Sequence, residues 1–217
     1  ILTAAAVGAL GGLLAVFWKP SAHAQSAIQH FAAGAVLAAV ASGVIPEAQH
    51  FGTLSGILGG FAAGGVLMIA LKWLVLKFEQ KERKRSKQPI GLSAAAAMDT
   101  LVDGALISAG FSSGRRLGTL LAVALTIELF FLTLSVGAAF GRSGSRRWQG
   151  VLVTTGIAGL LLVGAFVGAL ALRGASHSTI ACGLAFGAAA LIYLVAEELL
   201  VEARQVEEGL FPTAMLF

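Results

Sequence analysis

Long apolar runs alternate with short polar stretches along the chain. The runs cover about 2–18, 28–46, 53–76, 92–112, 117–140, 150–172 and 178–197. A helix that crosses the ~30 Å hydrocarbon layer needs about 20 mostly apolar residues, because each adds ~1.5 Å of rise. All seven runs approximate that length. An eighth starts near Phe211-Pro212, with proline in its first turn, and is cut short at Phe217. The stretches between runs are rich in Gly, Ser, Pro and charge, as connections are. The pattern predicts one all-α transmembrane domain over 1–217. The first run is followed by Ser21-Ala22-His23-Ala24-Gln25, which mimics a signal-peptide cleavage site. Its basic residue, Lys19, comes after the run rather than before it, so a first membrane helix is the preferred reading.

Composition sharpens this expectation. The chain is 57% hydrophobic and only 12% charged, against about 45–50% and ~25% in soluble domains. Its 28 glycines suit helices that must approach closely in lipid. The single cysteine, Cys182, forms no intrachain disulfide. The net charge of +4 is concentrated in loops, which suits a membrane surface and not nucleic acid. The loop after the third run, 77–91, opens with Lys77-Phe78-Glu79-Gln80-Lys81-Glu82-Arg83-Lys84-Arg85-Ser86-Lys87. Lys19, Arg142, Arg146 and Arg147 fall on the same side in an alternating topology, and only Arg115, Arg116 and Arg173 on the other. The positive-inside rule then puts the basic loops in the cytoplasm and the N-terminus outside.

There is an internal echo. Residues 31–48 read FAAGAVLAAVASGVIPEA and residues 184–203 read LAFGAAALIYLVAEELLVEA. Both pass from a small-residue helix into an acidic end, and the two runs cross in opposite directions, as an inverted repeat would.

Charge inside the runs carries the candidate chemistry. Asp99 lies about 10 Å into the fourth run and Asp103 about 17 Å, while Glu128 lies about 17 Å into the fifth. All three fall near the bilayer centre. Asp99 and Asp103 are four apart and share a helical face, with Thr100 beside it. The fourth and fifth runs are joined by a short turn at Ser112–Arg116 and are natural neighbours. An ionised carboxylate at that depth costs at least ~2.5–3.5 kcal/mol. Protons, a bound cation or a water-filled cavity must compensate. Lys72 is the nearest basic residue in the runs, and it can snorkel to the surface. An oxygen-only set of Asp99, Thr100, Asp103 and Glu128 favours a hard or borderline divalent cation. Glu197, Glu198 and Glu202 near the end of the seventh run read as an exit funnel, and Glu47 as an outer entrance; solvated helix ends are the alternative.

Enzyme motifs are missing. Asp99-Thr100-Leu101-Val102-Asp103-Gly104 has neither the spacing nor the second Asp pair of CDP-alcohol phosphotransferases. The Gly-x-Gly-Asp of intramembrane aspartyl proteases is absent. His23, His30, His50 and His177 all fall in or beside loops and read as surface residues. No enzyme activity and no organic cofactor is expected.

These residues resemble, over essentially the whole chain, the ZIP (Zrt/Irt-like) family of metal-ion transporters. That family has eight membrane helices, an outside N-terminus and a long cytoplasmic loop after the third helix. Its fourth helix carries His-Asn-x-x-Asp-Gly and its fifth His-Glu-x-x-Glu-Gly. At the matching positions this chain has Asp99 for His, Thr100 for Asn and a retained Asp103 before Gly104. On the fifth helix Ile127 replaces His, Glu128 is retained and Phe131 replaces the second acid. The resemblance implies an eight-helix bundle with the eighth truncated. It implies uptake of a divalent metal toward the cytoplasm, often by a homodimer, and here the lipid bilayer of a bacterial inner (plasma) membrane is the expected setting. The surviving positions suit a single site rather than a binuclear zinc site. With imidazoles gone, Mn²⁺ or Fe²⁺ becomes as eligible a substrate as Zn²⁺. Two alternatives stay open: a ZIP-like regulator or scaffold without transport, and a proton-coupled transporter of another solute.

Overall fold

A computed structural model describes residues 1–17, 21–82 and 89–199, and every regular element among them is helical. Helix α1 spans Leu2–Phe17. Helix α2 spans Ala22–Ala39 and continues through a π-helical turn, Val40–Val44, into Ile45–Phe51. Helices α3 (Leu54–Glu82), α4 (Ile90–Ser113), α5 (Arg115–Arg142), α6 (Arg147–Ala171) and α7 (His177–Leu194) follow, and α7 ends in a second π-helical turn, Val195–Leu199. Six of these runs are long and apolar enough to cross a membrane, namely Ser26–Phe51, Leu54–Lys77, Ile90–Ser113, Arg115–Arg142, Arg147–Ala171 and His177–Glu197. The protein is a multi-pass integral membrane protein of all-α fold.

Expectations about the ends of two runs change. The first run forms a helix over Leu2–Phe17, as its apolar pattern predicts. The second run starts at Ala22 rather than 28, because the Ser21 hydroxyl accepts the Ala24 N–H and caps the helix. The predicted 77–91 loop is shorter than expected, since α3 runs on through Glu82 and α4 starts at Ile90; the predicted eighth helix, Lys19, residues 83–88, the Glu198 side chain, Glu202, Glu207 and Glu208 lie outside the described residues.

Small residues set the packing. Helix α4 lies against α6, α1 against α5 and α3 against α7, while α4 and α5 meet at the centre. A Cβ on Gly104 would stand 2.2 Å from the Leu161 carbonyl oxygen, and one on Gly164 only 2.0 Å from that of Leu101. Helices α4 and α6 therefore touch backbone to backbone, as interfaces without a hydrophobic drive require. Large apolar side chains instead cover the outer faces. Leu58, Val66, Ile69 and Trp73 on α3, and Phe166 and Leu170 on α6, are more than half exposed. Such a surface belongs in lipid.

The echo between the second and seventh runs has a structural counterpart. The two π-helical turns fall at equivalent places, Val40 on Val195 and Val44 on Leu199. In that register Phe31 matches Phe186, and the buried Ala33, Val36 and Val40 match the buried Ala188, Leu191 and Val195. The neighbours match too. α2 lies on α5 as α7 lies on α4, and α1 lies on α5 as α6 lies on α4. This is the contact pattern of a two-fold axis that runs between α4 and α5 and exchanges the two halves. Pro46 follows the first turn and lacks the N–H that a regular helix would use there, which gives that π-helical turn a local cause. No proline stands at the corresponding Val201.

Candidate cation site

Gly114 alone separates α4 from α5, so the two helices are forced antiparallel and adjacent. Gly110 of α4 packs on Gly118 and Leu121 of α5. Counting down both helices from that contact brings Asp103 level with Glu128 to within about a turn. The structure brings Asp99, Asp103 and Glu128 together: each offers a carboxylate oxygen, and these oxygens lie within 4.8 Å of one another. All three residues are buried, at 6%, 1% and 2% exposure.

Both supporting helices are held from behind. On α4 the face bearing Gly104 is clamped to α6. On α5 the Thr133 hydroxyl donates to the Gly8 carbonyl oxygen of α1 at 2.7 Å, and a Cβ on Gly8 would meet Leu129. Leu125, Leu129 and Ile107 fill the adjoining core with under 2% exposure. The carboxylates thus project from a packed scaffold rather than from mobile loops.

The electrostatics demand a positive charge. Two carboxylates 4.8 Å apart repel by on the order of 3 kcal/mol at an effective dielectric of 20. Three such pairs together exceed the stabilisation that any one helix contact supplies. Protons or a cation must share the site. Three oxygens at that separation lie at most about 2.8 Å from their common centre. Closing by a few tenths of an ångström reaches the ~2.0–2.6 Å of divalent-metal coordination.

The other predicted positions fall out differently. Thr100 is fully buried, and its hydroxyl donates to the Ala96 carbonyl oxygen of its own helix at 2.7 Å. Its proton is committed, and only its oxygen lone pairs remain for a ligand. Lys72 is paired with Glu197 in a partly exposed salt bridge that ties α3 to the π-helical end of α7. The Tyr193 ring lies 5.8 Å from the same ammonium. Glu197 is thus bound to a lysine rather than standing as an unpaired member of an acidic funnel. Glu47 is partly buried in the first turn after Pro46, away from the triad in sequence and helix. Ile127 faces a groove of about 570 Å³ between α2 and α5, together with Ala35 and Ala39. One expectation is corrected outright: His30 is buried, at 6% exposure, and not a surface residue. Burial is tolerated because Nδ1 meets the Ser26 carbonyl oxygen at 2.9 Å. The signal was legible as Ser26, Gln29 and His30 at helical spacing, but it lies where the second run was expected only to begin. His23, His50 and His177 are exposed, as expected.

Comparison with protein-family models and with curated proteins finds no match for this sequence.

Proposed function

We propose that the protein moves a divalent metal cation across the membrane, toward the cytoplasm, and that Asp99, Asp103 and Glu128 hold the ion midway. The observation that carries this reading is the convergence of three buried carboxylates from two adjacent helices within one coordination radius. The ZIP-like spacing of Asp99, Asp103 and Glu128 supports it independently. Asp103 and Glu128 stand at positions where that family keeps acids, and Asp99 adds a third acid where the family has histidine. A chain that had lost transport would have little reason to keep three groups so costly in lipid. The oxygen donor set suits Mn²⁺, Fe²⁺ or Zn²⁺ bound as substrate, with Thr100 offering a fourth oxygen.

The test is flux. Purified protein in liposomes is assayed for uptake of Mn²⁺, Fe²⁺, Zn²⁺ and Cd²⁺, beside Asp99→Ala, Asp103→Ala and Glu128→Ala. Uptake of at least one metal, lost in the three variants, is expected. Absence of flux for every metal, with insertion unaltered, would refute transport. Flux untouched by all three substitutions would refute the site. Proton movement without metal would favour the proton-coupled alternative.

A further inference from the structure

The basic link between α5 and α6 has chemistry that the carboxylate site does not use. Arg142, Arg146 and Arg147 crowd into it, and all three are exposed. Like charges so close repel one another. The salt bridge found among the described residues joins Lys72 to Glu197, so no carboxylate among them pairs with these arginines. No acidic residue lies on α1, on α6 or in the link, and the acid of α5, Glu128, is buried in the triad.

Beside the arginines a cavity of about 190 Å³ opens where α1, α5 and α6 meet. Its wall includes Gly12, Gly137, Gly141, Gly144, Ser145 and Arg147. Packing explains only some of these glycines. A Cβ on Gly12 would collide with Thr154, and one on Gly137 with Ala15, so these two let the helices close up. A Cβ on Gly141 or Gly144 would meet nothing within 4 Å. There the missing side chains relieve no clash and instead leave backbone bare to the cavity. A liquid water takes up ~30 Å³; the cavity offers several times that, enough for a phosphate group.

The backbone of the link is shaped for an anion. Ser143 is in the right-handed region, and Gly144 follows at a φ of 75°. Such a change of hand turns successive N–H groups toward one concave side, a geometry that receives anions. The N–H groups of Gly144 and Ser145 make no backbone hydrogen bond among the described residues. The Ser143 and Ser145 hydroxyls bond to each other at 2.8 Å, and that of Ser143 also donates to the Phe140 carbonyl oxygen, which holds the link in this shape.

The level in the bilayer selects the ligand. Trp148, next to Arg147, and Leu152, one turn on, are both more than half exposed. An outward-facing tryptophan at a helix end marks the headgroup level. A soluble anion would gain nothing from these apolar side chains, whereas a phospholipid lays its acyl chains along them.

We propose that the cavity binds the phosphate group of an anionic phospholipid, in the leaflet that borders the basic loops. Arg147 offers the paired N–H donors that match phosphate oxygens. Arg142 and Arg146 supply the surrounding positive field, and the bound headgroup relieves their repulsion. A zwitterionic lipid would bring its own cation against them. The site stands apart from the carboxylate triad and does not depend on it.

The intact purified protein is titrated in detergent with phosphatidylglycerol, phosphatidylcholine or inorganic phosphate, and native mass spectrometry reads the bound fraction. Phosphatidylglycerol is expected to bind, and phosphatidylcholine about tenfold more weakly. Arg147→Gln is expected to weaken phosphatidylglycerol by about tenfold, the size of a lost charge-assisted contact. Gly141→Leu keeps every charge, fills the cavity and is expected to weaken binding to a similar degree. Arg115→Gln removes the same charge at the opposite end of α5 and is expected to leave binding unchanged. Equal losses in Arg147→Gln and Arg115→Gln would overturn the proposal, because positive charge alone would then account for binding. Binding indifferent to Gly141→Leu would overturn it too. Binding of inorganic phosphate with none of phosphatidylglycerol would replace the lipid with a soluble anion. If Arg147→Gln does not fold, Gly141→Leu and the comparison of the two lipids still decide, and equal affinity for both lipids would sink the site.

Discussion

At the scale of single residues, the proposed choice of ion turns most on Asp99. Under the proposed function, it stands where the resembled ZIP motif has histidine and would make a mixed nitrogen and oxygen donor set an all-oxygen one. Asp99→His is therefore expected to raise the preference for Zn²⁺ over Mn²⁺ by about tenfold, since imidazole strengthens binding most for metals late in the series. Competition between the two ions in the uptake assay reads the ratio. An unchanged ratio would mean that Asp99 does not touch the ion. Asp103→Asn keeps shape and removes charge. It is expected to weaken metal binding at least about tenfold, the equivalent of ~1.4 kcal/mol, in a titration of purified protein. Lys72 and Glu197 belong to a different class. Their pair is partly exposed, and exposed pairs contribute ~0.2–1 kcal/mol. A double-mutant cycle on thermal stability should return a coupling in that range. A larger value would make the pair a structural lock between α3 and α7.

At the scale of elements, close backbone approach holds the site. A Cβ at Gly164 has no room beside the Leu101 carbonyl, whereas one at Gly159 of the same helix meets nothing within 4 Å. Gly164→Ala is expected to cost about 1–3 kcal/mol by overpacking and to lower the melting temperature in detergent. Gly159→Ala should leave it unchanged or slightly raised, because alanine is the better helix former. Equal effects of the two substitutions would contradict the α4–α6 contact. Much of this level was legible in advance. The apolar runs located every described helix from α2 onward, and a carboxylate pair at i, i+4 with an acid at equal depth on the next helix foretold the triad. What escaped was local. The α2 start depends on Ser21 acting as a cap, which a hydropathy pattern does not register. The burial of His30 depends on a carbonyl one turn back and on the packing of α2 against α5, and neither is written in composition.

At the scale of the whole molecule, the two-fold contact pattern bears on the proposed function. The triad sits where α4 meets α5, between the elements that the two-fold contact pattern pairs. Sites at the interface of inverted repeats suit alternating access, because each half can open in turn around a fixed ion. The sequence echo pointed there, but low-complexity Ala and Gly helices resemble one another, and only the coincidence of the π-helical turns fixed the register. Orientation is a separate prediction. A cysteine introduced at Ser86 should react with an impermeant thiol reagent only from the cytoplasmic side, and one at Ser112 only from outside, each in a Cys182→Ala background. The reverse labelling would invert the proposed direction of every step.

The most direct test of the account is the position of the ion itself. Crystals grown with Mn²⁺ and measured at a wavelength where manganese scatters anomalously should show a peak between α4 and α5, within ~2.6 Å of oxygens from Asp99, Asp103 and Glu128. The peak should vanish in Asp99→Asn, Asp103→Asn, Glu128→Gln protein. Manganese bound elsewhere in the bundle, with none between these three carboxylates, would contradict the central claim.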